Sequence, residues 1–232
     1  MLGPMLLAML AVLAVASPAR AGGDPYAPVP MVGPFPSLEA FCIDGLAIYP
    51  DAESRAILAP RCSDSILTLA TAKVAAPYEA LQLVKIPEMA GGFVAVKLDG
   101  AWYLRGVEPF EEPPNCHGPL VLEGLTPRPD HALQIAYSID GSCERRDHEW
   151  TWLEHGFVVV GVGPSHAPSM TPPIRLSVTE TAETDGKAHQ TFAFARAARW
   201  SRDGSVDIAT VRRSNGSHAE ASPVGHHRFA FP

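Results

Sequence analysis

An antiparallel β-sandwich or barrel of about ten strands, preceded by one or two short N-terminal helices, is the fold class this sequence predicts. Three observations lead to it. From Ile66 onward the apolar residues recur with a period of two, the spacing of a half-buried strand. Gly-, Pro- and Asn-containing turn signals interrupt that pattern roughly every 8–15 residues. Helix-start signals occur only before Pro60.

The chain opens with an export signal, assigned to residues 1–21. Met5 to Ala16 is an unbroken apolar run of about a dozen residues, too short to span a bilayer. Pro18 breaks it, and Ala19 and Ala21 supply the small residues for cleavage before Gly22. No later segment is long and apolar enough to span. Residues 22–36 read as a Pro-rich linker, because five prolines hold the chain extended and poor in hydrogen-bond donors. Residues 37–232 read as one β-rich domain, with a split near residues 109–118 as the alternative division.

Within that domain Ser37 is placed to cap a helix that Gly45 closes, with Leu38, Phe41 and Cys42 on one face. A second short helix is expected over 51–58. Strands follow at 78–86, 93–98, 101–107, 119–123, 132–139, 148–154, 157–163, 174–181, 189–200, 205–212 and 228–231. Asp99-Gly100 is the sharpest turn signal, since a two-residue Asp-Gly loop suits a turn with φ > 0 at both positions. It pairs Leu98 with Ala101, Lys97 with Trp102 and Val96 with Tyr103. Val94, Val96, Leu98, Ala101, Tyr103 and Arg105 then share an inward face, and Lys97 reaches solvent from the other. His155-Gly156 reads as a second tight hairpin, and Asp203-Gly204 as a third turn.

Composition narrows the function classes. With 232 residues and 47% apolar content the chain can bury a sizeable core, which excludes overall disorder. Its net charge is −7, and −8 once Arg20 leaves with the signal, so counterion release gives no drive toward nucleic acid. Six Arg concentrate at 196, 199, 202, 212, 213 and 228, read as solvated strand faces. The 14 Arg against 4 Lys, with abundant Ala and Pro, point to a GC-rich bacterial source.

Four cysteines, Cys42, Cys62, Cys116 and Cys143, in an exported chain read as two disulfides. Pairing of sequence neighbours, 42 with 62 and 116 with 143, closes two loops worth roughly 3 kcal/mol each in the chain-entropy account. Cys116-His117 is adjacent rather than spaced for chelation, and no C-x-x-C pair occurs, so no metal and no cofactor is expected.

The catalytic motifs are incomplete. His148-Glu149 begins like a zinc-protease helix, but Trp152 stands where the second histidine belongs. Ser165 follows Pro164 and lacks the flanking pattern of a nucleophile elbow. Gly161-Val162-Gly163 runs into proline rather than a helix, unlike a phosphate loop. Nine scattered histidines read as surface or strand-end residues. Trp150 and Trp152, two apart on one strand, share a face and suit either a core row or stacking on a sugar ring. Asn215-Gly216-Ser217 matches a glycosylation sequon, without meaning in a bacterial chain.

These readings converge on an exported, disulfide-stabilised binding or structural module of the cell envelope or secretome. Its partner would be a protein or glycan rather than nucleic acid. The alternative is an exported hydrolase with a site assembled from distant loops by His117, Glu111 and His148.

Overall fold

The computed structural model describes residues 24–42, 66–85, 92–107, 116–117, 120–129, 131–145, 148–184, 187–213 and 224–232. In chain order the strands are β1 (Val29–Pro30), β2 (Val32–Phe35), β3 (Leu67–Ala72), β4 (Tyr78–Lys85), β5 (Gly92–Leu98), β6 (Ala101–Val107), β7 (Cys116–His117) and β8 (Leu120–Pro127). They continue as β9 (Leu133–Arg145), β10 (His148–Val162), β11 (Pro168–Met170), β12 (Ile174–Thr184), β13 (Lys187–Trp200), β14 (Val206–Arg213) and β15 (Gly225–His227). Among the described residues one helical turn, α1 (Leu38–Ala40), follows β2.

All pairings are antiparallel, in two sheets that form a curled half-barrel or sandwich. The smaller sheet has five strands in the order β2-β6-β5-β4-β3. The larger has ten and is built around β10, which pairs with β9 along one side and with β12 and then β11 along the other. The strand count among the described residues is therefore higher than the expected ten, because short pieces such as β1, β7 and β11 carry too few residues for a period to show.

The core sits between the sheets. Leu81, Leu83, Val94 and Val96 of the small sheet meet Leu133, Ile135, Val158 and Val160 of the large one. This cluster draws on both sides of residue 115, so the two halves of the chain share one core. A buried aliphatic side chain of this kind contributes about 1.5–3 kcal/mol. A second cluster covers the outer face of the small sheet, where Phe41 and Cys42 pack on Val84, Phe93, Ala95 and Leu104. A third lies on the other face of β10, where Phe157 and Val159 meet Ile174, Val206 and Ile208.

The β5–β6 hairpin has the register its turn dictates, Leu98 opposite Ala101, Lys97 opposite Trp102 and Val96 opposite Tyr103. Asp99 and Gly100 take φ of 49° and 78°, the left-handed pair that a two-residue loop requires. Val94, Val96 and Tyr103 do point into the inter-sheet core. The opposite face is not left to solvent, because Phe41 and Cys42 lie over Ala95 and Leu104. Lys97 escapes at the edge, its Nζ 3.3 Å from Glu79 Oε2. Glu79 also accepts the Gly100 N–H at 2.7 Å, and these two contacts hold its carboxyl below the usual range. Gly100→Val is expected to cost at least ~1 kcal/mol, since a β-branched residue resists positive φ. A urea titration showing unchanged stability would contradict this reading of the turn.

Three expectations are corrected. The His155-Gly156 hairpin does not exist: residues 148–162 run through as β10, with a bulge against β12 between His155 and Gly156. Glycine is needed there for close approach rather than for turning, since a Cβ would sit 2.7 Å from both the Ile174 carbonyl oxygen and the Tyr137 hydroxyl. The Pro-rich stretch is extended, as its prolines dictate, but it is docked rather than a free linker. Val29 and Pro30 pair with β11, Val32 and Phe35 pair with β6, and Tyr26 and Met31 are buried. The last strand is Gly225–His227 rather than 228–231, and the residues after it pack through Phe229 and Phe231 into the third cluster.

The Ser37 cap is present, its hydroxyl accepting the Ala40 N–H at 3.0 Å. The signal segment, the helix expected over 51–58 and the sequon at Asn215 fall outside the described residues. No helix among the described residues is long and apolar enough to cross a membrane.

Candidate functional site

Among the described residues, the densest gathering of polar chemistry lies at one end of the inter-sheet core, where the long strands of the large sheet run past Val158. Tyr137 on β9 stands opposite Gly156, and Arg175 on β12 pairs with the same glycine from the other side. Alternation along β10 places Trp152 and Glu154 on that face too. Four side chains from three strands therefore converge over the gap that Gly156 leaves.

Glu154 is the centre. It is 0% exposed, and both of its oxygens are engaged. The Tyr137 hydroxyl donates to Oε1 at 2.8 Å, and the Trp152 indole N–H donates to Oε2 at 3.3 Å. Arg175 Nε lies 3.1 Å from Oε2, an ion pair with its two side chains 8% and 0% exposed. The Arg175 guanidinium carbon also lies 5.8 Å from the Trp152 ring centroid. Val178 and Phe194 close the apolar side. A carboxylate buried this deeply is tolerated only because it is paired and hydrogen-bonded.

Burial pushes the Tyr137 phenol well above its usual range, and the neighbouring Glu154 charge adds to the shift. Burial also raises the Tyr78 phenol. Below about pH 10 folded and unfolded chains both keep these protons. Above it the unfolded chain releases them first, so the folded state holds more protons and stability falls as pH rises. Thermal melts between about pH 9 and 11 should show the midpoint dropping, and Tyr137→Phe should flatten the drop. A flat profile in the unmodified chain would count against the buried phenols.

The chemistry available to this cluster is limited by its closure. Its carboxylate has no exposed surface through which a substrate atom could approach. Tyr137, Glu154 and Arg175 thus act on the fold, tying β9, β10 and β12 together.

The residues singled out from the sequence are spread more widely. The Cys116 and Cys143 backbones are paired directly across β7 and β9. Cys42 is disulfide-bonded, with a partner outside the described side chains, and no described cysteine is free. Trp152 is half-buried within the cluster above. Trp150 lies on β10 with its side chain outside the description. Of the proposed hydrolase groups, His117 lies on β7 and His148 on β10, two strands separated by β9, while Glu111 falls outside the described residues.

The histidines whose side chains are described do not gather. His155 Nδ1 meets Glu123 at 2.9 Å and His226 Nδ1 meets Asp207 at 2.8 Å, both near solvent. His131 and His166 occupy turns with φ of 57° and 59°. His227 is buried, 3.1 Å from Asp24 and edge-on to Tyr26. Among the described residues no three His, Cys, Asp or Glu are placed to hold a metal ion.

Two glycines that the sequence reading set aside have a clear role. Phe231 lies over Gly161, and the Phe231 and Pro232 carbonyls lie over Gly163, so closely that a Cβ at either glycine would collide. Ser165 then donates its hydroxyl to the Pro232 carbonyl at 2.6 Å. Gly161, Gly163 and Ser165 form the seat of the last residues, a role that no local pattern announces.

No protein-family model, curated protein or solved structure matches this chain.

Proposed function

We propose that the chain is an exported, disulfide-stapled β-module of the cell envelope or secretome that acts by binding or structural support rather than by catalysis. The observation carrying this reading is the sealed Glu154 cluster. Among the described residues, the strongest concentration of catalytic-type side chains is saturated by its own neighbours, which is how a scaffold uses them. The apolar run before Ala21 supports export, and export supports oxidation of the four cysteines. The pairing Cys116–Cys143 is supported by the register of β7 and β9. The pairing Cys42–Cys62 is supported by the bonded state of Cys42 and by their nearness in sequence. A protein or glycan partner remains the class favoured over nucleic acid, given the acidic net charge of −7.

The test is expression of the full chain in a Gram-negative host, followed by osmotic-shock fractionation, N-terminal sequencing and non-reducing peptide mapping. The expected product begins at Gly22, leaves with the periplasmic fraction and yields the two links named. It turns over none of a panel of chromogenic ester, phosphoester, peptide and glycoside substrates. A full-length chain retained in membranes, four free thiols or a 62–116 link overturns the exported, stapled module. Turnover abolished by His117→Ala or His148→Ala replaces it with the hydrolase reading.

A further inference from the structure

We infer that the Cys116–Cys143 link, on the pairing proposed above, is a reversible thiol–disulfide exchange site. Thiolate reductants open it while the Cys42 link stays closed and the sheets stay assembled. The register is the ground for this. Cys116 of β7 stands directly opposite Cys143 of β9 on neighbouring antiparallel strands. Strand geometry holds the Cβ atoms of directly opposed residues about 4.5–5.5 Å apart. A relaxed disulfide brings them to about 3.8 Å. A bond across this register therefore draws two strands together by about an ångström, against the ladder that spaces them.

β9 cannot shift to relieve the pull, because β10 lies along its other side, with Trp150 opposite Cys143 and Glu149 opposite Glu144. β7 keeps its own register, with His117 opposite Ser142. The strain thus stays in the bond, and opening it lets the strands relax, which makes such a disulfide easier to reduce. Cys42 stands in a different setting. It lies just past α1 rather than in a ladder, 2% exposed, and packs with Phe41, Val84, Phe93 and Leu104. A thiolate reaches its sulfur only after that cluster opens.

Opening the Cys116–Cys143 link has a local consequence. In chain order β7 is the step from Val107, the end of β6 in the small sheet, to Leu120, where β8 of the large sheet begins. With the link closed that crossing is tied covalently to β9. With it open, β7 is left with a two-residue ladder, too short to hold by itself. The body of the fold has other supports. β8 runs along β9 in its own register from Leu120 to Pro127, and the core between the sheets is filled from β4, β5, β9 and β10. Reduction therefore loosens the crossing without unfolding the domain. In the exchange a thiolate attacks one sulfur, forms a mixed disulfide and releases the other cysteine as a thiolate. A second thiolate then displaces the first cysteine. The two cysteines take up two electrons and two protons, and the reductant leaves as its own disulfide.

The oxidised full chain is first mapped without reduction, which tests the pairing by itself: four free thiols or a 62–116 link defeats that pairing and the exchange site with it. The same chain is then equilibrated across ratios of reduced to oxidised glutathione, quenched with acid, alkylated and mapped again. Cys116 and Cys143 are expected to be alkylated first, with an exchange equilibrium at least about tenfold more in favour of reduction than for the Cys42 link, or ~30 mV for a two-electron couple. A chain reduced at this link alone should keep a cooperative thermal transition. In guanidinium, where the strands are gone, the preference should shrink to within about threefold, because the two loops are of similar length. With the pairing intact, equal opening of both links, or earlier opening at Cys42, overturns the exchange site. So does a tenfold preference that survives in guanidinium, since it would not come from the register. Loss of the cooperative transition on selective reduction shows a structural staple instead and overturns it as well.

Discussion

Glu154→Ala lowers the unfolding free energy by about 3–5 kcal/mol, measured by urea titration, the usual cost of removing one partner from a buried pair. Alanine would leave the Arg175 charge without its Glu154 partner in a place where its side chain is 8% exposed. The Tyr137 hydroxyl and the Trp152 N–H would lose their acceptor at the same time. Two controls separate these effects. Tyr137→Phe removes a single hydrogen bond and should cost about 1–2 kcal/mol. Glu154→Gln keeps the shape and the Tyr137 acceptor but removes the charge, so it should fall between the two. A Glu154→Ala chain within about 0.5 kcal/mol of the parent, the range of an ordinary surface change, would show the cluster to be dispensable.

Gly156→Ala should cost about 3 kcal/mol, the upper end of ordinary overpacking. The added Cβ meets the Ile174 carbonyl and the Tyr137 hydroxyl, both at 2.7 Å. The first is backbone of the neighbouring strand and the second is held by Glu154, so neither can give way cheaply. Two other glycines make the comparison sharp. Gly124 has open space around its Cβ position and no positive φ, so Gly124→Ala should change stability by less than about 0.5 kcal/mol. Gly100 has open space but a φ of +78°, so its substitution costs only the backbone strain. Thermal or urea unfolding of the three alanine variants should rank them 156, 100, 124 in order of loss. Equal losses at 156 and 124 would show that β10 and β12 do not approach as closely as described.

Those same glycines mark the limit of what was legible in the sequence. Asp99-Gly100 and His155-Gly156 look alike on paper, each a Gly between apolar runs. The first is a turn because its neighbours pair with each other at short range, and a two-residue loop forces both left-handed dihedrals. The second lies in a continuous strand because partners 19 residues before it and 19 after it crowd that side. Tyr137 and Arg175 are invisible as neighbours of Gly156 until the sheet is assembled. The candidate cluster is illegible for the same reason: Trp152 draws attention by its ring, while nothing local distinguishes Glu154 from any other acid on a strand.

By itself the sequence determined what depends on nearest neighbours along the chain. That covers the antiparallel β class, the β5–β6 hairpin with its register, the Ser37 cap and the turn at Asp203-Gly204. Side-chain period, cap chemistry and turn dihedrals are local properties, and a few residues suffice to specify them. Tertiary structure alone decided that the Pro-rich stretch 24–36 pairs with two different sheets, since proline dictates extension but not what an extended chain lies against. It alone decided that Gly161 and Gly163 seat the last residues and that Glu154 is buried with Arg175. Each of these rests on contacts between residues far apart in the chain, where what a side chain meets is set by how the sheets curl onto each other rather than by its own position in the strand.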